Sequence, residues 1–337
     1  MHLSPQSTNY CADSTGKRIK RSPRWDNDEG VAATVGTIMA LLVFLTFFGM
    51  FTNQFVPVWM SDNESTHMSE AVAQFTTLKS SLDLSIANNA NSRIAPTPVF
   101  VPITLSSSGI PVFAAATAGI LYYIPEGANN KPSFSLAYTY RSSNGQTMSL
   151  SPTTSNDVLS GGDLELYCPN RYFVEQRLIY ENGAVILNQT DGEFVIAGPQ
   201  MLIRDVGTST SPSRVFLFTQ VALQGSLVTI GGTGSKGISA NLLYADTKEY
   251  SNSVANGADL YINMTTLHGW AWYRYFNSTL TSAGMVNGTD FVMPFPVLHA
   301  FADKTLNYYT FTVMIHSVTI LDHTKATVKM TIGELGV

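Results

Sequence analysis

The chain has 337 residues, enough for one large domain or two of ordinary size. Only 13% of the residues are charged, against roughly 25% in a typical soluble domain, and Ser, Thr, Asn and Tyr supply the polarity instead. The net charge of −5 gives nucleic acid no electrostatic reason to bind, so no nucleic-acid partner is expected.

The first predicted element is a membrane-spanning helix. From Val31 to Phe51 the chain carries no charge, and these about 21 residues would span roughly 30 Å, the thickness of the hydrocarbon core. The apolar stretch is longer than that of a cleaved secretory signal, which has about 7–15 residues. We therefore predict a transmembrane helix over residues 31–60, after a basic cytoplasmic segment or leader over residues 1–30.

The charges on either side of this helix predict its orientation. Acidic residues follow the helix at Asp62, Glu64 and Glu70. The basic residues that precede it are Lys17, Arg18, Lys20, Arg21 and Arg24. The positive-inside rule then predicts a protein of the cell membrane with a cytoplasmic N-terminus and the bulk of the chain extracellular, so that the lipid bilayer is a partner.

The two cysteines would lie on opposite sides of that membrane. Cys11 precedes the predicted helix and Cys168 follows it, so they cannot form a disulfide in this topology. The outer domain must then be stabilised by its hydrophobic core. We expect Cys168 to be buried and inert.

The residues at the polar-to-apolar border match a known pattern. Gly30-Val31, followed after four residues by GTIM over residues 36–39, resembles the start of archaeal pilin-like proteins with class III signal peptides. In that family a prepilin peptidase cuts at this border, and the helix then serves as an anchor or as the core of a filament. The resemblance implies cleavage between Gly30 and Val31, and self-association or assembly with other pilin-like subunits. Glu29 stands where the family has Arg or Lys, and Val35 lies near where many pilin helices have Glu, which favours a permanent anchor.

A second block of residues resembles membrane-anchored proteins of archaea with the same N-terminal architecture. It comprises NRYF over residues 170–173, Gln176, and YENGAVI over residues 180–186. This resemblance implies localisation and fold, and it implies no activity.

After the membrane helix the apolar residues repeat at helical spacing. Their spacings of three and four residues describe one stripe of a helix, made of Met68, Val72, Phe75, Leu78, Leu82 and Ile86. We predict an amphipathic stalk helix over residues 61–90. Such a stripe is typical of a free stalk and equally of a helix covered by its own head domain.

From residue 91 to residue 337 the pattern predicts an extracellular β-rich domain. Short apolar runs separated by Gly, Pro, Asn and Ser favour an antiparallel β-sandwich, with a sub-boundary near residue 150. Asn182-Gly183 predicts a hairpin, and Asp322–Lys325 is interpreted as the turn of a second one. One short helix ending at Gly284 is predicted within residues 267–285. The fold class is therefore mainly β with a long N-terminal α-helix.

One glycine-rich motif suggests cofactor binding. Gly232-x-Gly234-x-x-Gly237 matches the dinucleotide fingerprint, and Asp259 lies near the distance of a ribose-binding acid. No alternating β-α-β pattern surrounds it, so we interpret it as a turn between strands and expect no cofactor.

One pair of carboxylates suggests catalysis. Asp163 and Glu165 share one face of a predicted strand, as the paired acids of a glycosidase would. This spacing arises often by chance, and neither a nucleophile elbow nor zinc-ligand spacing accompanies it. We therefore expect no catalytic residue, no metal site and no enzyme activity.

The predicted short helix carries an aromatic cluster, made of Trp270, Trp272, Tyr273, Tyr275 and Phe276. These rings favour packing of the helix into the core, and a sugar-stacking platform is the alternative.

Candidate N-glycosylation sites are the sequons at Asn63, Asn188, Asn263, Asn277 and Asn287. Of these, Asn287 before Gly288 is expected in an exposed loop.

Three hypotheses of function follow. The favoured one is a single-pass membrane-anchored cell-surface protein with a non-catalytic structural or adhesive role. The alternatives are a processed subunit of an archaeal type IV pilus-like filament, and an extracellular glycan-binding protein or enzyme that uses the aromatic cluster.

Overall fold

A computed structural model describes residues 11–12, 18–19, 27–89, 96–128, 132–208, 211–254, 257–300 and 307–334, with side chains from residue 31 onward. The chain divides into two compact units, Met1–Phe55 and Val56–Val337. The helices are α1 (Asn27–Met50), α2 (Val56–Asn89) and α3 (Gly269–Ser282), with a π-helical stretch at Phe51–Phe55 and a 3₁₀ turn at Asn156–Val158.

The strands, in chain order, are β1 (Cys11–Ala12), β2 (Arg18–Ile19), β3 (Val99–Thr104), β4 (Gly119–Pro125), β5 (Ser133–Arg141), β6 (Thr147–Leu150), β7 (Leu159–Cys168), β8 (Gln176–Glu181), β9 (Ala184–Gln189), β10 (Gly192–Ala197), β11 (Met201–Asp205), β12 (Arg214–Gln224), β13 (Val228–Gly232), β14 (Ser235–Ser251), β15 (Ala258–Thr266), β16 (Phe291–Val292), β17 (Val297–Ala300) and β18 (Asn307–Glu334). Sixteen of them, β3 to β18, form one connected sheet. Its strand pairs are antiparallel except for β12 and β18, which run parallel. The fold is therefore mainly β, as predicted.

The first unit contains a helix that could cross a membrane. An 18-residue window of this helical segment has a mean hydropathy of 2.3, and none of that window is buried by the protein. Length and composition are therefore sufficient for a transmembrane span, as predicted.

Helix α2 packs against the sheet of the second unit. Its apolar stripe, which includes Phe75, Leu78 and Leu82, is fully buried. These side chains share one core cluster with residues of β3 and β14, among them Ile103 and Ile238. The sequence left open whether this amphipathic helix is a free stalk or is covered by its own head domain. The structure shows that it is covered, and α2 belongs to the same compact unit as the β-rich domain.

The β8–β9 hairpin is covered on both faces. Asn182 and Gly183 form its two-residue turn with φ of 45° and 78°, the left-handed region that a type I′ turn requires, so the hairpin prediction is confirmed. Tyr180 faces the core cluster that contains α2, whereas Ile179 and Ile186 face a second cluster that contains α3. Because successive side chains of a strand point to opposite faces, these strands are buried almost continuously.

The second predicted hairpin is wrong. Residues Asn307–Glu334 form one strand of 28 residues, and Asp322–Lys325 lies inside it. No Gly or Pro breaks the strand there, and Thr324 is paired on both sides, with Thr219 of β12 and Thr247 of β14. The irregularity lies instead at Ser317, whose φ of 59° accompanies a register shift in the pairing with β15, and the pairing with β12 begins at Val318.

Candidate functional site

Carboxylates converge on the face of the sheet that α3 partly covers. Asp163 on β7 is paired with Glu181 on β8, and both side chains are fully buried. Glu165 lies two residues further along β7 and therefore on the same face. Directly opposite residues of paired strands share a face, so the register extends this surface through Arg177 and Asn188. This face of the sheet thus brings Asp163 and Glu165, which the sequence placed on one face, together with residues that are distant in the chain.

Glu193 on β10 holds the start of α3. One carboxylate oxygen accepts the backbone N–H groups of Trp270 and Ala271 at 2.8 and 3.0 Å. The other lies 3.2 Å from Nδ1 of His268. The N-cap residue His268 makes no capping hydrogen bond with its side chain. The Glu193 carboxylate on β10 instead accepts the free N–H groups at the start of α3 and complements the helix dipole.

Glycine is required next to this histidine. A Cβ on Gly269 would lie 2.4 Å from Cβ of Tyr309, so only glycine lets the helix begin this close to β18. The close approach sets the position of the His268 ring.

Glu181 lies in the polar interior behind this helix start. Its carboxylate accepts the hydroxyl of Thr266 at 3.1 Å and the indole N–H of Trp272 at 3.3 Å. Burial raises its pKa to about 7, against the opposing charge of His268 and these two hydrogen bonds. Glu181 therefore titrates near neutral pH.

Asp163 and His268 respond to the same surroundings in different ways. Neither carboxylate oxygen of Asp163 has a hydrogen-bond partner, and burial, together with the charges of Glu181 and Glu165, raises its pKa well above the ordinary value. Burial opposes protonation of His268, but the hydrogen bond to Glu193 and the charge of Glu181 outweigh it and raise the pKa of the imidazole. Burial and the neighbouring carboxylates thus favour the neutral form of Asp163, whereas the carboxylates around His268 favour the protonated form of its ring.

A cavity of about 430 Å³ opens onto this surface, and we call it the Glu165–His268 cavity. Its polar lining is Glu165, Arg177, Asn188, His268 and Asn307. Its apolar lining is Tyr122, Ile124 and Leu267. The Glu165 carboxylate accepts a hydrogen bond from Nη1 of Arg177 at 2.7 Å, and that guanidinium lies 4.2 Å from the ring centroid of Tyr167. Nε2 of His268 has no partner. The volume falls within the usual range of small-molecule sites.

A second cavity of about 250 Å³ adjoins the first. The two share Asn188 and Leu267 in their linings, and the second adds Trp270, Arg274 and Tyr309. Together they form a groove along the start of α3 that is lined by both polar and apolar side chains.

The predicted aromatic cluster separates into two parts. Trp272 and Phe276 are fully buried and stack at 5.9 Å. Trp270 is 36% exposed and contacts Tyr273 and Phe295, at 5.6 and 5.9 Å between ring centroids. Tyr275 packs against the buried part, 6.0 Å from Trp272. The helix therefore presses some rings into the core, as predicted, and exposes others beside the groove.

The remaining predicted residues do not converge on this site. Gly30 and Val31 lie within α1, and Cys168 is buried, with a pKa that burial raises to about 12. The motif at Gly232 and Gly234 is a turn between β13 and β14, as predicted. The basic residues of the leader, apart from the backbone of Arg18 in β2, lie outside the described residues.

The sequons differ in accessibility. Asn287 is exposed in a turn, whereas Asn188 is half-buried and lines both cavities. Asn63 donates a hydrogen bond to the carbonyl of Ser108, and Asn263 accepts one from Thr312. Asn277 is half-buried on α3.

Sequence reasoning missed Glu64 as well as the members of the cluster that lie on β8, β10 and α3. Glu64 is fully buried, and its carboxylate accepts the backbone N–H groups of Arg171, Tyr172 and Phe173 at 2.7–3.1 Å, as well as the hydroxyl of Thr117 at 2.8 Å. The sequence did indicate that Glu64 is buried, because Glu64 stands four residues before Met68 and therefore on the same side of the helix as the apolar stripe. For Glu181, Glu193 and His268 no local signal exists, because pairing across strands brings them together.

Among the described residues, no three or more His, Cys, Asp or Glu side chains are arranged to hold a metal ion. The chain matches no family model, and no curated protein or solved structure is significantly similar to it.

Proposed function

We propose that the chain is a single-pass membrane-anchored cell-surface protein whose β-rich domain has a non-catalytic structural or adhesive role. The supporting observation is a contrast between the two units. In α1 the largest side chains are exposed, with Leu42 at 61%, Phe44 at 61% and Phe47 at 68%. The second unit instead buries its apolar stripe and strands in its own core. An apolar helix with exposed side chains is stable in lipid, where its backbone groups bond internally.

The charges that flank α1 support a cytoplasmic N-terminus. Five basic residues lie within the first thirty residues, whereas residues 31–70 contain no Lys or Arg and include Asp62 and Glu70 after the helix. Positive charge near a span favours the cytoplasmic side, so the β-rich domain is proposed to be extracellular.

Labelling with a membrane-impermeant maleimide on intact cells tests this topology. We expect no labelling of the wild type, because Cys11 is cytoplasmic and Cys168 is only 2% exposed. The variant Thr233→Cys places a thiol in the exposed turn between β13 and β14 and should be labelled without permeabilisation. Permeabilised cells are the control, in which Cys11 becomes reactive.

The reverse result would refute the proposed orientation. Labelling of the wild type on intact cells, with no additional labelling of Thr233→Cys, would mean that the N-terminus is outside. Release of the full chain from membranes by alkaline carbonate would refute the anchor itself.

The processed filament subunit is a second candidate. The burial of the α2 stripe in the β-rich unit supports it, because a pilin likewise covers the outer half of its helix with its own head domain. Glu29 at the cleavage border favours the permanent anchor instead.

An extracellular glycan-binding protein or enzyme is the third candidate. The Glu165–His268 cavity supports it, since a cavity of this size with both polar and apolar lining residues, next to a cavity lined by the partly exposed Trp270, suits a small ligand with hydroxyl groups.

A further inference from the structure

We propose that the Glu165–His268 cavity binds one ring of a neutral carbohydrate. This inference rests on the proposed surface location, because an extracellular domain meets glycans of its own envelope or of other cells. It deepens the adhesive role by naming the site and the ligand class.

The cavity offers hydrogen-bond donors and acceptors in alternation. The Glu165 carboxylate accepts, the Arg177 guanidinium beside it donates, and the amides of Asn188 and Asn307 do both. A sugar hydroxyl also donates and accepts, so adjacent hydroxyls of one ring can bond to adjacent groups of this lining.

The charged groups at the cavity are paired, the Glu165 carboxylate with Arg177 at 2.7 Å and the His268 ring with the Glu193 carboxylate at 3.2 Å, and these pairs favour a ligand without net charge. An anion would face the Glu165 carboxylate, and a cation would face the Arg177 guanidinium, which is held 2.7 Å from it. An anion that binds Arg177 would therefore be repelled by Glu165, and a cation that binds Glu165 would be repelled by Arg177. A neutral ligand is repelled by neither. A neutral ring with hydroxyls keeps the ion pair intact.

His268 has an unsatisfied group at the cavity wall. Its side chain is only 4% exposed, its Nδ1 bonds to Glu193, and its buried Nε2 has no partner although the residue lines the cavity. A buried polar group without a hydrogen-bond partner has an energetic cost, because it has lost its hydrogen bonds to water. A ligand hydroxyl at Nε2 would remove this cost, and this observation is independent of the carboxylates.

Apolar surfaces complete the site. Tyr122 and Leu267 line the same cavity, and Trp270 lines the adjoining one with 36% of its surface exposed. The C–H face of a sugar ring packs on aromatic and aliphatic surfaces. The shared lining at Asn188 lets a second ring of the same glycan extend toward Trp270.

The test uses the full chain in detergent micelles, produced in a host without N-glycosylation so that Asn188 stays unmodified. The probe is an array of neutral hexose and N-acetylhexosamine oligosaccharides, with sialylated and sulfated glycans alongside. We expect binding to neutral glycans, followed in titrations by tryptophan fluorescence. Binding of no neutral glycan, or of charged glycans alone, would overturn the proposal.

Variants then locate the binding. We expect Asn188→Ala and Glu165→Gln each to weaken the affinity about tenfold or more, as the loss of a charged or bidentate hydrogen bond does. Glu249→Gln is the matched control, because Glu249 is exposed on β14 and lines neither cavity. Affinity that is unchanged in both cavity variants, or lost in Glu249→Gln, would place the binding elsewhere and overturn the proposal.

A photoreactive derivative of the bound glycan covers the case in which a cavity variant does not fold. Crosslinked to the wild type, it should label peptides that contain Arg177 to Asn188 or Leu267 to Trp270. Labelling confined to peptides that contain no residue of the cavity lining would contradict the site. The maleimide experiment on topology is unaffected by any of these results, so failure of the ligand proposal is distinguishable from failure of the proposed function.

Discussion

Ionisation of Glu181 opposes folding. Its pKa is raised by burial from 4.5 to about 7, so between these pH values the folded protein retains a proton that the unfolded chain releases. The free energy of unfolding therefore falls as the pH rises through this window. Asp163, whose pKa is also raised by burial, acts in the same direction, and His323, whose pKa burial lowers to about 4, acts in the opposite direction.

The variant Glu181→Gln isolates this effect. Because Gln cannot ionise, we expect the variant to gain stability over the wild type as the pH rises from about 4.5 to 7, by up to on the order of 3 kcal/mol. Urea unfolding of the detergent-solubilised chain at both pH values measures the difference. Glu249→Gln on the exposed face of β14 is the control and should show no such trend. A Glu181→Gln difference that is constant with pH would contradict the assignment.

At the scale of elements, one carboxylate joins α2 to the loop between β7 and β8. Burial opposes ionisation of Glu64, but the N–H groups of Arg171, Tyr172 and Phe173 outweigh it and lower the pKa. Three consecutive backbone donors form a concave anion site, which here is filled by a side chain of the same chain. These contacts fix the N-terminal part of α2 where its apolar stripe begins.

We expect Glu64→Gln to destabilise the β-rich unit by about 2–3 kcal/mol, because an amide presents an N–H group toward donors that need an acceptor. Thermal unfolding followed by circular dichroism measures this. Glu70→Gln, on the exposed side of the same helix, should change the stability by less than about 0.5 kcal/mol.

The lowered pKa of Glu64 also makes this difference in stability depend on pH. The contribution of Glu64 is complete above about pH 4.5 and is lost as the pH falls through its folded pKa, so the two proteins should converge in acid.

At the scale of the whole molecule, the state of the first thirty residues separates the anchor from the filament subunit. For the permanent anchor we expect an intact mass of 36.6 kDa or more from native membranes, with the N-terminus present. A species that begins at Val31 would instead support processing and filament assembly. Replacement of Gly30 is the control, since it should change the mass only if a peptidase reads that border.

Local patterns predicted much of the fold because their physical causes are local. The apolar stretch from Val31, the Asn182-Gly183 turn and the short helix before Gly284 depend on neighbours within a few residues. The error at Asp322–Lys325 has a non-local cause. Two long neighbouring strands keep those residues extended, although their composition resembles that of a turn.

The candidate site shows the same division. Asp163 and Glu165 could be placed on one face from their spacing alone, because strand geometry alternates every residue. Their partners could not, since Glu181, Glu193 and His268 meet them only through the register of separate strands and the start of α3.

The sequence by itself determined a membrane-compatible helix, an amphipathic helix and a β-rich domain, because hydrophobic periodicity and turn formation depend on residues that are close together in the chain. Only the tertiary structure decided that α2 is packed into the domain rather than free, and that buried acids lie on the face of the sheet onto which the Glu165–His268 cavity opens. Both depend on contacts between residues that are distant in the chain, whose burial and pKa values arise only when the sheet has formed.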